Sequence, residues 1–164
     1  TCFNINSKNL ITWVQDPSDP SGYTWNPYNV DESKQYGYEV GIKYNMSKVI
    51  QHSFNYTYLR AEDTKIHQDL FYRPMHTSTY ALSVKPISPL KITTALSYVA
   101  STRYVTGGAF LKDYCTIDIR ADYKITKNIS IWAKCDNITN EKYQISYDYP
   151  MPGITGYSGI DIKF

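Results

Sequence analysis

Short stretches of this chain carry a two-residue hydrophobic period, and the connections between them are alternately long and short. A period of two places successive side chains on opposite faces, so each stretch is predicted as a β-strand with one apolar and one polar face. Eight strands are expected, over about 2–14, 32–45, 49–61, 74–85, 90–103, 113–124, 128–137 and 154–164. Between them, long connections (15–30, 62–73, 104–112, 138–152) alternate with tight ones (45–48, 86–89, 125–127). In an up-and-down antiparallel meander, alternate connections lie at the same end. The expected sheet therefore has long loops at one end and tight turns at the other.

The second strand shows the alternation most clearly. Tyr36, Tyr38, Val40, Ile42 and Tyr44 lie opposite Gln35, Gly37, Glu39, Gly41 and Lys43. The sixth sets Cys115, Ile117, Ile119, Ala121 and Tyr123 against Thr116, Asp118, Arg120 and Asp122. In the first, Phe3, Ile5, Ser7, Asn9, Ile11 and Trp13 share a parity, with a weak middle. Residues 15–30 carry three Pro and one Gly among Ser, Asp and Asn, which is loop chemistry. No stretch has sustained helical periodicity, and no apolar run approaches the roughly 20 residues of a membrane helix. A membrane-crossing strand needs only about 9–11 alternating residues, a length these stretches reach.

Alternation leaves open which face points inward. A soluble lipocalin-like barrel fills its interior with the apolar face, whereas a membrane barrel turns that face to lipid. Two features favour the membrane order. Tyr outnumbers Phe and Trp (17 against 5 and 3) and clusters near strand ends on the apolar face, at Tyr36, Tyr44, Tyr58, Tyr98 and Tyr123. That is where an aromatic girdle meets the membrane–water interface. The polar face mixes both charge signs with small residues, as a lumen wall would, and long outer loops opposite short turns are the outer-membrane barrel pattern.

The chain shows no chemistry of catalysis. There is no nucleophile–base pair, Gly107-Gly108 is too short to cradle a phosphate, and Cys2, Cys115 and Cys135 match no metal-ligand spacing. We expect no enzyme, no cofactor and no metal site. A net charge of +2 argues against a nucleic-acid partner.

Ser158-Gly159-Ile160-Asp161-Ile162-Lys163-Phe164 resembles the C-terminal signal of bacterial outer-membrane barrels, in which Gly159, Ile162 and Phe164 occupy the glycine, apolar and terminal aromatic positions. Asp136-Asn137-Ile138-Thr139-Asn140-Glu141-Lys142-Tyr143, followed by Pro152-Gly153 and the last strand, resembles the C-terminus of TonB-dependent outer-membrane receptors. Asp136, Asn137, Lys142 and Tyr143 match that family's pattern; Ile138 and Thr139 depart mildly, and Ile154 stands where the family often has Arg. Upstream, Tyr72-Arg73-Pro74-Met75-His76 and Gly37-Tyr38-Glu39-Val40-Gly41 look like two further family segments, in the family's order.

The resemblance implies an all-β, antiparallel up-and-down transmembrane barrel, with residues 1–164 as about eight C-terminal strands of a larger one. It implies a Gram-negative outer membrane, lipid and the barrel-assembly machinery as partners, and TonB-coupled uptake of a ferric siderophore, cobalamin or haem. The plug domain and TonB box belong to the family's N-terminal region, so TonB would act through a part not in this chain. Glu39, Arg73, Pro74, Asp136, Asn137, Pro152 and Gly153 are then expected to serve structure. The loop residues Tyr23, Trp25, Tyr28, His67, Tyr147 and Tyr149 are the candidates for contact with a small-molecule or metal-chelate ligand. Of His52, His67 and His76, His67, in a loop, is the best placed to meet a haem. The alternatives are a self-contained eight-stranded outer-membrane barrel, whose first and last strands would pair, and a soluble lipocalin-like barrel.

Overall fold

The computed structural model describes residues 1–16, 18–21, 24–104 and 109–163. Tyr23, Gly107, Gly108 and Phe164 lie outside the described residues. Among the described residues eleven strands form: β1 (Cys2–Gln15), β2 (Trp25–Asn45), β3 (Ile50–Asp63), β4 (Gln68–Asp69), β5 (His76–Ile87), β6 (Leu90–Ala100), β7 (Tyr114–Lys124), β8 (Ile129–Asp136), β9 (Gln144–Ser146), β10 (Tyr149–Pro150) and β11 (Thr155–Ile162). The main sheet runs β1-β2-β3-β5-β6-β7-β8-β11, each neighbour antiparallel, with β4 added beside the upper end of β3. The eight long strands are the eight expected, and the long and short connections alternate as the sequence indicated. Among the described residues β1 and β11 do not pair, so the sheet is an open path and not a closed eight-stranded ring.

Directly opposed residues in antiparallel strands share a face. The register therefore links Ile42, Phe54, Tyr80, Leu96 and Ile117 into one apolar row across five strands. The other parity links Lys43, Ser53, Ala81, Ala95 and Asp118. Another row joins Tyr44, His52, Leu82, Thr94, Ile119 and Cys135. Tyr44 sits beside a tight turn and Cys135 beside a long loop. One row thus climbs from one end of the sheet to the other, the stagger of strongly tilted barrel strands.

Most of the apolar face is uncovered: Ile42 is 58% exposed and Ile160 66%. The buried apolar cluster is small (Val30, Ala61 and Leu70, with Leu10 and Leu59 against it) and sits near the long-loop end. A soluble antiparallel sheet normally buries one face against a second layer; among the described residues no such layer covers this one.

Three local expectations are corrected. Residues 25–30 are strand and not loop, because they pair with β1 from Gln15–Trp25 to Leu10–Val30. Pro27 is tolerated because that part of β2 is paired on one side only, where a missing N–H need break no ladder. Pro86 belongs to β5, where the register with β6 shifts between Val84 and Ile87, leaving only residues 88–89 as the turn. Finally, the parity face of β1 does not run through. Cys2 lies opposite Tyr38 of the apolar face, so Phe3 and Ile5 share the polar face with Gly37 and Gln35. Val30 and Ser33, three residues apart, are both 2% exposed, so β2 changes face between them. Asn9, in the facing part of β1, has φ of 57°, a left-handed kink that Asn tolerates better than most residues.

Candidate functional site: the long loops and the charged wall

The first long loop is ordered by two carboxylates. Asp16 accepts from the Ser18 N–H (2.8 Å), the Ser18 hydroxyl (2.6 Å) and Asn26 Nδ2 (3.0 Å). Asp19 accepts from the Ser21 N–H (2.8 Å), the Ser21 hydroxyl (2.6 Å) and the Thr24 N–H (2.8 Å). These bonds favour the ionised form. The Ser18 hydroxyl holds the Asp16 carboxyl below its usual range, and the Ser21 hydroxyl holds that of Asp19 well below it. Of the candidate ligand residues here, Trp25 and Tyr28 lie in β2. Trp25 is half-buried against Tyr72, ring centroids 6.1 Å apart, while Tyr28 is exposed.

The second long loop and the third meet at Asp69. Its carboxylate, 9% exposed, lies 2.9 Å from Arg60 Nε and 3.1 Å from Arg103 Nη2. The Arg60 N–H lacks the alignment of a hydrogen bond, so charge holds this pair. Arg60 Nε, Arg103 Nε, Asp69 Oδ1 and the Tyr72 hydroxyl are buried without a directed partner. Buried donors left so cost about 1–3 kcal/mol each unless something outside the chain engages them. The Arg103 guanidinium also lies 5.0 Å from the Phe110 ring, and its carbonyl accepts from the Tyr72 N–H at 2.8 Å. His67 is exposed in the turn before β4 with φ of 51°. Arg73 is exposed, Pro74 half-buried, and Glu39 exposed in β2. Neither Arg73 nor Glu39 joins an ion pair among the described residues.

The last loop hangs on Asn137, only 3% exposed, with φ of 51°. Its N–H donates to Asp118 Oδ1 (2.8 Å). Its Nδ2 donates to the Glu141 carbonyl (2.9 Å) and the Pro152 carbonyl (3.3 Å), and its Oδ1 accepts from the Glu141 N–H (2.9 Å). One side chain thus closes both ends of the loop. Gly153 belongs to the same closure, because a Cβ there would collide with Asn140 Oδ1. Tyrosine stacks join this loop to the preceding one: Tyr104 on Tyr147 at 4.5 Å and Tyr114 on Tyr143 at 4.2 Å. Lys112 and Glu141 pair at 2.9 Å. A hollow of about 630 Å³ opens beside them, lined by Lys142, Gln144, Pro150 and Met151 among others. Tyr149, in β10, is 72% exposed.

The charged face carries a second hollow of about 670 Å³, lined by Lys91, Asp118, Arg120, Asp122 and Lys134. Its charges pair along the strands, Arg120 with Asp122 at 2.7 Å and Lys134 with Asp136 at 2.8 Å. Arg120 also lies 4.5 Å from the Trp132 ring. Opposite Trp132 stands Gly159, where a Cβ would come within 2.6 Å of the indole. Gly159 therefore makes room for Trp132. Ile162, opposite Ile129, is 55% exposed.

The structure does not gather the sequence candidates into one pocket. Trp25 joins Tyr72, Tyr147 joins Tyr104, and Tyr28, His67 and Tyr149 are exposed singly. His52 and His76 lie on the apolar face, each 2.8 Å from a tyrosine hydroxyl, Tyr80 and Tyr56 respectively. No group of three metal-ligating side chains occurs among the described residues. Sequence reading missed Arg60, Asp69, Arg103, Tyr104 and Tyr114, whose partners are distant in the chain. The only local signal was an Arg or Tyr at a strand end.

Residues 1–138 match the family model described as TonB dependent receptor-like, beta-barrel. The vitamin B12 transporter BtuB of Photobacterium profundum is 27% identical over 162 residues, covering 94% of this chain and 25% of the transporter. The chain thus spans about a quarter of the length of this curated relative. Among solved structures, the copper transporter OprC superposes with a TM-score of 0.78 at 17% identity, covering 97% of this chain and 27% of that one. The ferric enterobactin receptor PfeA of Pseudomonas aeruginosa gives 0.75 at 19% identity, covering 99% and 28%.

Proposed function

This chain belongs to the TonB-dependent receptor β-barrel family, and from that premise we propose that it forms the C-terminal wall of an outer-membrane barrel that takes up a scarce, bulky nutrient. The observation that carries the reading is the pair of faces. The row Ile42, Phe54, Tyr80 and Leu96 is exposed and continues to the half-buried Ile117, and the opposite face holds Lys91, Asp118, Arg120, Asp122 and Lys134. Lipid satisfies the first face, and a wet lumen satisfies the second.

In this reading the long loops stand outside the cell and meet the ligand, a ferric siderophore, cobalamin or haem. Tyr149, Tyr28 and the stacked Tyr147 offer amphipathic surface to it. The tight turns face the periplasm, and Gly159, Ile162 and Phe164 present the terminal strand to the barrel-assembly machinery. The charged wall faces a plug contributed by an N-terminal region, through which TonB supplies the driving force. Uptake on this scheme makes and breaks no covalent bond.

The faces can be tested with a native thiol. Cys115 lies opposite Tyr98 on the apolar face and is exposed in the bare sheet. In the full-length protein in permeabilised outer membranes, with Cys2 and Cys135 changed to Ser, a charged maleimide should leave Cys115 unmodified until detergent denaturation. Lys91→Cys, on the opposite face, should react. Equal labelling of the two positions would refute a lipid-facing wall.

A further inference from the structure

We propose that Arg60 and Arg103 form a binding site for the phosphate of a lipid headgroup in the leaflet at the long-loop end. The inference rests on the membrane placement proposed above. Four observations lead to it.

The first is the order of residue types up the outward face of β3. Phe54 is followed by Tyr56, Tyr58 and then Arg60, one register row apart each. Tyr38 and His76 flank Tyr58, with ring centroids 5.5 and 5.3 Å away. Aliphatic rows thus give way to an aromatic cluster and then to a guanidinium. Aromatic rings of this kind sit at headgroup level, and cations just beyond them meet the anionic surface.

The second is charge. Arg60 and Arg103 share the single carboxylate of Asp69, so the trio carries a net positive charge. Glu62 stands in the next row between Lys34 and Asp69, and Lys34 offsets its charge, so three cations against two carboxylates leave the group at +1.

The third is unused hydrogen-bonding capacity. Arg60 addresses Asp69 through Nε and Arg103 through Nη2, and the Nε of each lacks a directed hydrogen bond among the described residues. Planar guanidinium forks match phosphate oxygens in geometry and charge.

The fourth is preorganisation. Asp69, at 9% exposure, anchors both arginines, the Phe110 ring lies 5.0 Å from the Arg103 guanidinium, and the Tyr72 N–H fixes the Arg103 backbone. Arg60 remains 39% exposed, so the site is open to a headgroup. Little side-chain entropy is left to lose on binding.

The test uses the full-length protein in phosphatidylcholine nanodiscs, with or without diphosphoryl lipid A, and counts retained lipid by native mass spectrometry. The wild type should retain lipid A over phosphatidylcholine, and Arg60→Gln with Arg103→Gln should weaken retention about tenfold or more. Arg60→Lys, which keeps the charge and loses the fork, should fall between; Lys48→Gln, in a tight turn at the far end, should match the wild type. Should the double variant fail to fold, Arg60→Lys alone decides: retention equal to the wild type overturns the site. Inorganic phosphate, added as competitor, should displace lipid A only weakly; displacement at the same concentration as lipid A would make this a free-anion site and overturn the lipid assignment. Failure of the wild type to insert into either disc would overturn the membrane placement itself, whereas insertion with equal retention of both lipids would overturn only this proposal.

Discussion

The two ends of the sheet are built by different rules. At the tight-turn end, two connections repeat one local device. The Ser47 hydroxyl accepts from the N–H groups of Val49 (3.2 Å) and Ile50 (3.1 Å), and the Thr126 hydroxyl accepts from those of Asn128 (3.2 Å) and Ile129 (3.0 Å). Both occur in the pattern Ser/Thr-Lys-x-Ile, and in both the turn residue's own N–H donates to the Ile carbonyl. At the long-loop end one Asp-x-Ser device repeats within the first loop, and the other loops are each held differently. Asp16 and Asp19 fold one loop around themselves, Asp69 draws in arginines from two other elements, Asp113 takes the Ser101 N–H at 2.9 Å, and Asn137 closes the last loop across 15 residues to Pro152. Short-range hydroxyl caps suffice where the chain only reverses. Carboxylates and amides reaching across the sequence are needed where it must hold a particular surface.

The contrast predicts that single substitutions at the loop end cost far more than at the turn end. Asn137→Ala is the sharpest case. It removes both side-chain donors and the Oδ1 acceptor, leaves the part-buried Glu141 N–H unpaired, and puts Ala at a φ of 51°. We expect a loss of about 3 kcal/mol, read as a lower urea midpoint for the full-length protein folded in detergent. A loss under about 1 kcal/mol would mean that the strands alone position the last loop.

Legibility in the sequence followed the same divide. The eight strands, their apolar parity and the alternation of connections were readable because a period of two and a turn residue are properties of neighbours. The exceptions have non-local causes. Residues 25–30 look like loop until β1 is placed beside them, and the change of face near Asn9 and Val30 depends on two strands kinking together. Pro86 reads as a turn residue, but a bulge against β6 absorbs it. The Asp136-Asn137 motif pointed to a structured loop end, yet nothing in it named Asp118 or Pro152 as partners. Arg60, Asp69 and Arg103 were invisible for the same reason: ion pairs among three elements leave no spacing in the sequence.

A smaller effect is expected at the other end. Ser47→Ala and Thr126→Ala each remove a hydroxyl serving two exposed N–H groups that water can reach. Each should cost about 0.5–1.5 kcal/mol, and the two should add, since the turns share no partner. A double variant whose loss matches Asn137→Ala would erase the distinction between the ends.

The smallest effect on global stability, and the most specific to the loop end, is a response to acid. Asp16 and Asp19 are held below their usual carboxylate range by the Ser18 and Ser21 hydroxyls respectively. Depressed folded-state values stabilise the ordered loop fully above the unfolded carboxylate value of about 3.9, and that contribution is lost as pH falls below it. Hydrogen exchange at the Ser18, Ser21 and Thr24 amides, normalised for intrinsic rate, should be flat from neutral pH to about 5 and lose protection below about 4. The Val49 and Asn128 amides, capped by hydroxyls that do not titrate, should show no such step. Asp19→Asn should flatten most of the response at Ser21 and Thr24 while leaving Ser18, which answers to Asp16, unchanged. A parallel loss of protection at both ends would instead mean that the whole sheet opens in acid, and the two-rule description of its ends would not stand.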